Sequence, residues 1–192
     1  MKNIIILGKR NIDKISFIGQ TIQNNDQNDK NDKNDKNIQD DIQPERSQMN
    51  GIEDKFFLYK YQLEMMNKLF LGLDFEFKCL VEKELERKIQ GYKQQDIKKY
   101  IYKVTEIVNL EDVIEMLIVS KLKCCYCAQE IQILYKNVRE PYQWTLDRKD
   151  NTKGHTKPNT LISCLKCNLQ RRMTDVDKFI FTKKLKIKKS SS

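Results

Sequence analysis

The sequence is poor in residues that break a chain: it has three prolines and six glycines among 192 residues. It also has a single tryptophan and a single histidine, His155, so imidazole chemistry has only one place to occur. No segment approaches the ~20 apolar residues that a membrane-crossing helix needs. The opening apolar run, Ile4 to Leu7, is too short for the core of a signal peptide. These absences argue against membrane attachment and secretion, and leave a cytosolic or nuclear setting as the expectation. Cysteines stay reduced there, so closely paired ones point to a metal before a disulfide.

Charge is plentiful but uneven. Residues 121–192 carry 17 basic and 6 acidic side chains, a net +11, whereas the preceding 120 residues net −2. Positive charge at this density draws phosphate polyanions and releases their counterions, which makes DNA, or RNA, the expected partner. Residues 23–41 read QNNDQNDKNDKNDKNIQDD, an Asn-Asp-Lys repeat without aromatics. Such a stretch cannot bury enough apolar surface to offset its ordering entropy, so disorder is expected. The chain therefore divides into a mostly disordered segment (1–50), a helical region (51–120) and a basic C-terminal region (121–189).

Periodicity supports helices through the middle region. Gly72 is a possible interruption, and Gly91 is expected to separate two helices. The clearest helix has Asn109 as N-cap, Glu111 and Asp112 in its first turn, and Leu110, Val113, Ile114, Leu117, Ile118 and Leu122 along one face. Met65 and Met66 read as core filler, and Cys79 as a small buried apolar side chain.

The other cysteines carry more information. Cys124 and Cys127 form one CxxC, and Cys164 and Cys167 form a second. Zinc takes four soft ligands at tetrahedral corners, and a two-residue spacer lets one tight turn supply two thiolates. Cys125 offers no such spacer. Between the pairs, QWTL reads as a strand ending at Asp147-Arg148. A polar loop runs on to Pro158, Thr160 to Ser163 reads as a second strand, and a helix begins near Cys164. Trp144, Tyr142 and Tyr126 are expected to pack around the zinc. A last helix is expected from Thr174, paired with Asp177 in a capping-box manner. The fold class is α+β, with the helices followed by a zinc-stapled ββα unit.

The string WTLDRKDNTKGHTKPNTLISCLKCNLQRR resembles the HNH endonuclease family with structural zinc, in the form found in large DNA viruses. It shares the LDR-x-x-N start, the His-x-x-x-Asn middle and the C-x-x-C-N-x-x-R end. The resemblance implies a treble-clef-like ββα site and a metal-dependent DNA endonuclease. Asp147 matches the acid at the strand end, Asn159 the loop-bracing amide, and Asn168 the metal-binding position on the helix. Arg148 stands where the usual catalytic histidine would be.

Chemistry offers roles to match. Asp147 and Asn168 are hard ligands suited to magnesium or another divalent cation. His155, as the one imidazole, is the candidate general base. Arg148, Arg171 and Arg172 can fork onto phosphate oxygens. Plainer readings stay open: Asp147 could simply brace the loop, and the arginines could be ordinary surface charges. Because of Arg148, so does a catalytically silent zinc module that binds nucleic acid. A third reading is a treble-clef adaptor that binds protein.

Overall fold

The computed structural model describes residues 44–185. The Asn-Asp-Lys repeat lies outside the described residues. The described part is α+β: five α-helices and one small sheet. Helices α1 (Tyr59–Phe70), α2 (Lys78–Lys98) and α3 (Leu110–Val119) precede strands β1 (Trp144–Arg148) and β2 (Thr160–Cys164). Helices α4 (Leu165–Arg171) and α5 (Val176–Lys184) follow. No helix among the described residues is long and apolar enough to cross a membrane.

Helix α1 buries Gln62, Met65, Met66 and Leu69 on one face. It ends at Gly72, whose φ of 68° is the left-handed conformation that a side chain would resist. Helix α3 starts with a complete capping box: Asn109 Oδ1 accepts from the Asp112 N–H, and Asp112 Oδ2 accepts from the Asn109 N–H. Its buried face is Val113, Ile114 and Leu117.

Helix α2 departs from the expectation, because it runs straight through Gly91. Glycine costs a helix about 1 kcal/mol relative to alanine. The buried row Val81, Leu85, Ile89 and Tyr92 outweighs that, at roughly 1.5–3 kcal/mol for each fully buried large apolar side chain. Cys79 is exposed rather than buried. It lies two residues before Val81, about 200° around a helix of 3.6 residues per turn, and so faces away from the core.

Strands β1 and β2 pair antiparallel, with Trp144 opposite Cys164 and Asp147 opposite Leu161. Trp144 and Tyr126 are buried, whereas Tyr142 is exposed and does not join them. Helix α5 begins two residues later than expected: the Lys178 N–H bonds Asp175 Oδ1, so Asp175 is the cap. The Thr174 carbonyl is instead held by Arg171 Nη1 at 2.7 Å.

One hydrophobic cluster joins the helical region to the cysteine-rich region, from Met66 and Leu85 through Leu117 to Leu134, Trp144 and Cys164. A polar tie crosses the same boundary. The buried Gln62 amide donates to the Leu134 and Phe57 carbonyls, and its oxygen accepts the N–H groups of Ile133 and Leu134. Gln62→Leu keeps the volume but strips those partners. At roughly 1–3 kcal/mol for each buried group left unpaired, a loss of about 3 kcal/mol or more is expected in urea unfolding. A loss below about 1 kcal/mol would mean that the two regions are not coupled through this residue.

Candidate functional site: a four-cysteine cluster and a histidine-lined groove

Each CxxC is folded by its own backbone. The Cys124 N–H bonds the Gln129 carbonyl and the Ala128 N–H bonds the Cys124 carbonyl, both at 2.9 Å. Ala128 takes a left-handed φ of 57° to close this turn. At the other pair, Cys164 ends β2 and caps α4, its sulfur accepting the Cys167 N–H at 3.4 Å. The sulfur atoms of Cys124, Cys127, Cys164 and Cys167 all lie within 4.8 Å of one another. Those of Cys127 and Cys164 are 3.9 Å apart. A tetrahedral ion with metal–sulfur bonds of ~2.3 Å places its ligands about 3.8 Å apart, so the group can hold a metal ion. Cys125 lies outside it, exposed, with its N–H on the Ile162 carbonyl.

A groove of about 720 Å³ opens between α2 on one side and β1 with α4 on the other. Asp147, Arg148, His155, Asn168 and Arg172 all line it. The structure therefore gathers most of the residues singled out in the sequence into one depression.

His155 is the most tightly specified of them. Its Nδ1 lies 2.8 Å from Asp96 Oδ1, and its backbone N–H donates to Asp96 Oδ2 at 2.6 Å. The ring also lies against Tyr92, with centroids 4.7 Å apart. The carboxylate fixes the tautomer: Nδ1 carries the proton and Nε2 keeps its lone pair. Nε2 accepts no hydrogen bond among the described residues, and His155, though only 3% exposed, lines the groove. Burial lowers the His155 pKa from its usual value, against the opposing pull of Asp96. The ring is therefore neutral near pH 7. Gly154 permits this docking. A Cβ there would sit 2.9 Å from both Asp96 Oδ2 and the Ile101 carbonyl.

Asn159 ties the loop together. Its amide donates to the carbonyls of Asp150 and Gly154 at 3.0 Å, and its oxygen accepts the Asp150 N–H. Asn168 donates to the Thr145 hydroxyl and the Leu146 carbonyl, and its Oδ1 accepts no hydrogen bond among the described residues. Arg148 donates to the Lys153 carbonyl, with Nη1 3.7 Å from Asp96.

Two expectations change. Arg171 does not reach outward to a phosphate. It is 2% exposed and grips Asp147 through Nε and Nη2 while donating to the Arg148 and Thr174 carbonyls. A buried carboxylate needs a cation, and Arg171 supplies it. Asp147 also accepts the Tyr126 hydroxyl at 2.6 Å. Both its oxygens are thus committed beside a guanidinium, which disfavours a second cation there. Magnesium held by Asp147 and Asn168 does not fit this arrangement. Arg172 remains exposed at the groove.

Asp96 was missed in the sequence. It lies in a lysine-rich stretch, 59 residues before His155. The available signal was its position: Asp96 continues the buried row Leu85, Ile89 and Tyr92, and a carboxylate on such a row requires a partner.

Because His155 is the sole histidine, its titration can be followed by NMR without assignment. A midpoint below 6.5 is expected, and Asp96→Asn should lower it further by removing the charge that favours the imidazolium. With the folded pKa depressed, the neutral ring's contribution to stability is full above about pH 6.5. It is lost as pH falls through the folded value. A native midpoint above 6.5 would contradict the buried, neutral ring. No protein-family model, curated protein or solved structure matches the chain.

Proposed function

We propose that this protein is an endonuclease that hydrolyses phosphodiester bonds in DNA, with an HNH-like ββα site stapled by zinc. The single observation that carries the reading is His155. It is a neutral imidazole whose Nδ1 is locked by Asp96 and whose Nε2 is free beside a cationic groove.

In this reading Nε2 accepts a proton from water as the oxygen attacks phosphorus; the bond from phosphorus to the leaving sugar oxygen breaks, and that oxygen takes a proton from solvent water. Asp96 is a positioning residue that holds the ring and steadies the imidazolium that forms. Arg172, exposed at the groove, meets the charge that grows on the phosphate oxygens, whereas Arg148 is 6% exposed and braces the loop beside Asp96 instead of reaching outward. Asn159 keeps the loop in register, and the Asp147–Arg171 pair anchors the end of β1 to α4. Zinc on Cys124, Cys127, Cys164 and Cys167 is structural: four thiolates leave no position open for substrate.

The silent-module reading keeps one observation in its favour, namely that Arg171 occupies the carboxylate a catalytic cation would use. Plasmid nicking by the full chain in magnesium separates the two. Wild type should nick, and His155→Ala should slow it by about 10²–10⁴-fold while DNA binding is kept. Wild type that binds DNA but never cleaves it would make the silent module the better account. Equal cleavage by wild type and His155→Ala would remove His155 from the mechanism.

Elemental analysis of the reduced protein should find one zinc per chain. Cys164→Ser should lose the metal and, through the shared core, lower the stability of the helices as well. Cys125→Ser should keep both. Zinc-free wild type with an intact fold would end the structural-zinc assignment.

A further inference from the structure

Helix α2 presents two neighbouring rows of side chains. Lys88, Tyr92 and Asp96 face the sheet and the His155 loop: Lys88 Nζ donates to the Trp144 carbonyl, Tyr92 accepts the Leu146 N–H, and Asp96 holds His155. The next row, four residues apart, is Arg87, Gly91, Gln95 and, at the helix's C-cap, Lys99, and all four line the groove. At 1.5 Å per residue the row spans about 18 Å. It has a cation at each end, an amide at Gln95 and no side chain at Gly91.

Gly91 has no internal explanation. Its backbone is helical, and a Cβ added to it would meet nothing within 4 Å. Neither a turn nor a packing contact in the described residues requires glycine. The space it leaves belongs to the groove, and a glycine that the protein's own packing does not use is suited to close approach by a ligand backbone. Charge says what kind. Arg87, Lys99 and Arg172 line the groove, Arg148 there is offset by Asp96, and the groove's one acid, Asp147, is neutralised by Arg171. Arg87 shares Glu84 with Arg46, two guanidiniums to one carboxylate, so that cluster also stays positive. The facing wall carries two exposed apolar side chains, Leu169 (64% exposed) and Met173 (79%).

We infer that α2 is the second wall of a DNA cleft. One strand's sugar–phosphate backbone runs along Arg87, Gly91, Gln95 and Lys99 with its closest approach at Gly91, and its sugars and bases turn toward Leu169 and Met173. The inference rests on the nuclease reading and adds to it that the helical region is part of the substrate site. Phosphates would contact Arg87 and Lys99, and Gln95 would donate between them. The scissile phosphate would lie across the groove, beside His155.

The test uses the full-length chain with His155→Ala, so that binding to a labelled duplex oligonucleotide is read without cleavage. Gly91→Leu should weaken binding at least tenfold while the melting temperature holds or rises, since leucine favours the helix. Gly91→Ala should cost much less, because a methyl group fills little of the space. Lys99→Gln should reduce the slope of log affinity against log salt by about one. A folded Gly91→Leu variant that binds with unchanged affinity overturns the inference. So does an unchanged salt slope in Lys99→Gln, which stands even if Gly91→Leu fails to fold. If the unsubstituted cleft binds no DNA at low salt, the nuclease reading falls with it. Binding that is indifferent to both substitutions removes only the role of α2.

Discussion

A sheet of two strands has two edges, and here the outer edge of β1 is buried. Each N–H and C=O along it must find a partner away from water or cost the fold its desolvation. Residues 144 and 146 point their backbone groups to this edge, and none of the four is satisfied by another strand. The Trp144 N–H goes to the Gln132 carbonyl and the Trp144 carbonyl to Lys88 Nζ. The Leu146 N–H goes to the Tyr92 hydroxyl and the Leu146 carbonyl to Asn168. Two of these partners come from α2 and one from α4, so the edge dictates where both helices lie. The groove is the space left between them.

Much of the site's chemistry follows from that constraint. Once Lys88 and Tyr92 are fastened to β1, the next position on the same helical row is Asp96, at the height where the loop after β1 returns. Gly154 allows the loop to approach, and His155 finds both its N–H groups answered by one carboxylate. Asn159 closes the loop from the other side. At the far end of the strand the Asp147–Arg171 pair welds β1 to α4. Removing one partner of a buried pair of this kind leaves an uncompensated charge, typically at a cost of 3–5 kcal/mol.

The local parts of this design were readable from the sequence. Two CxxC spacings gave the cysteine group, the aromatic and β-branched run QWTL and the stretch Thr160 to Ser163 gave β1 and β2, and Asn109 followed by Asp112 gave the start of α3. What escaped was set by distant contacts. Gly91 signals a break only if the helix is judged alone, and the packing of Leu85, Ile89 and Tyr92 carries the chain through it. Arg171 looks like a surface arginine until a buried carboxylate 24 residues away claims it. Asp96 carries no motif at all. Its meaning lies in the histidine it meets, and only the tertiary fold introduces them.

The division of the groove between α2 and the β1–α4 unit also bears on how the protein comes into being. A chain is made in one direction, and the wall carrying Asp96 precedes the wall carrying Asn168 and Arg172 by some seventy residues. The four-cysteine group is completed only when Cys167 has been added. No growing or truncated chain that stops short of that point has both walls of the cleft or the means to hold them apart. The histidine is then present without its groove. A half-made copy therefore carries its parts unassembled, and the groove takes shape in one step, late, once the last cysteine pair has been added.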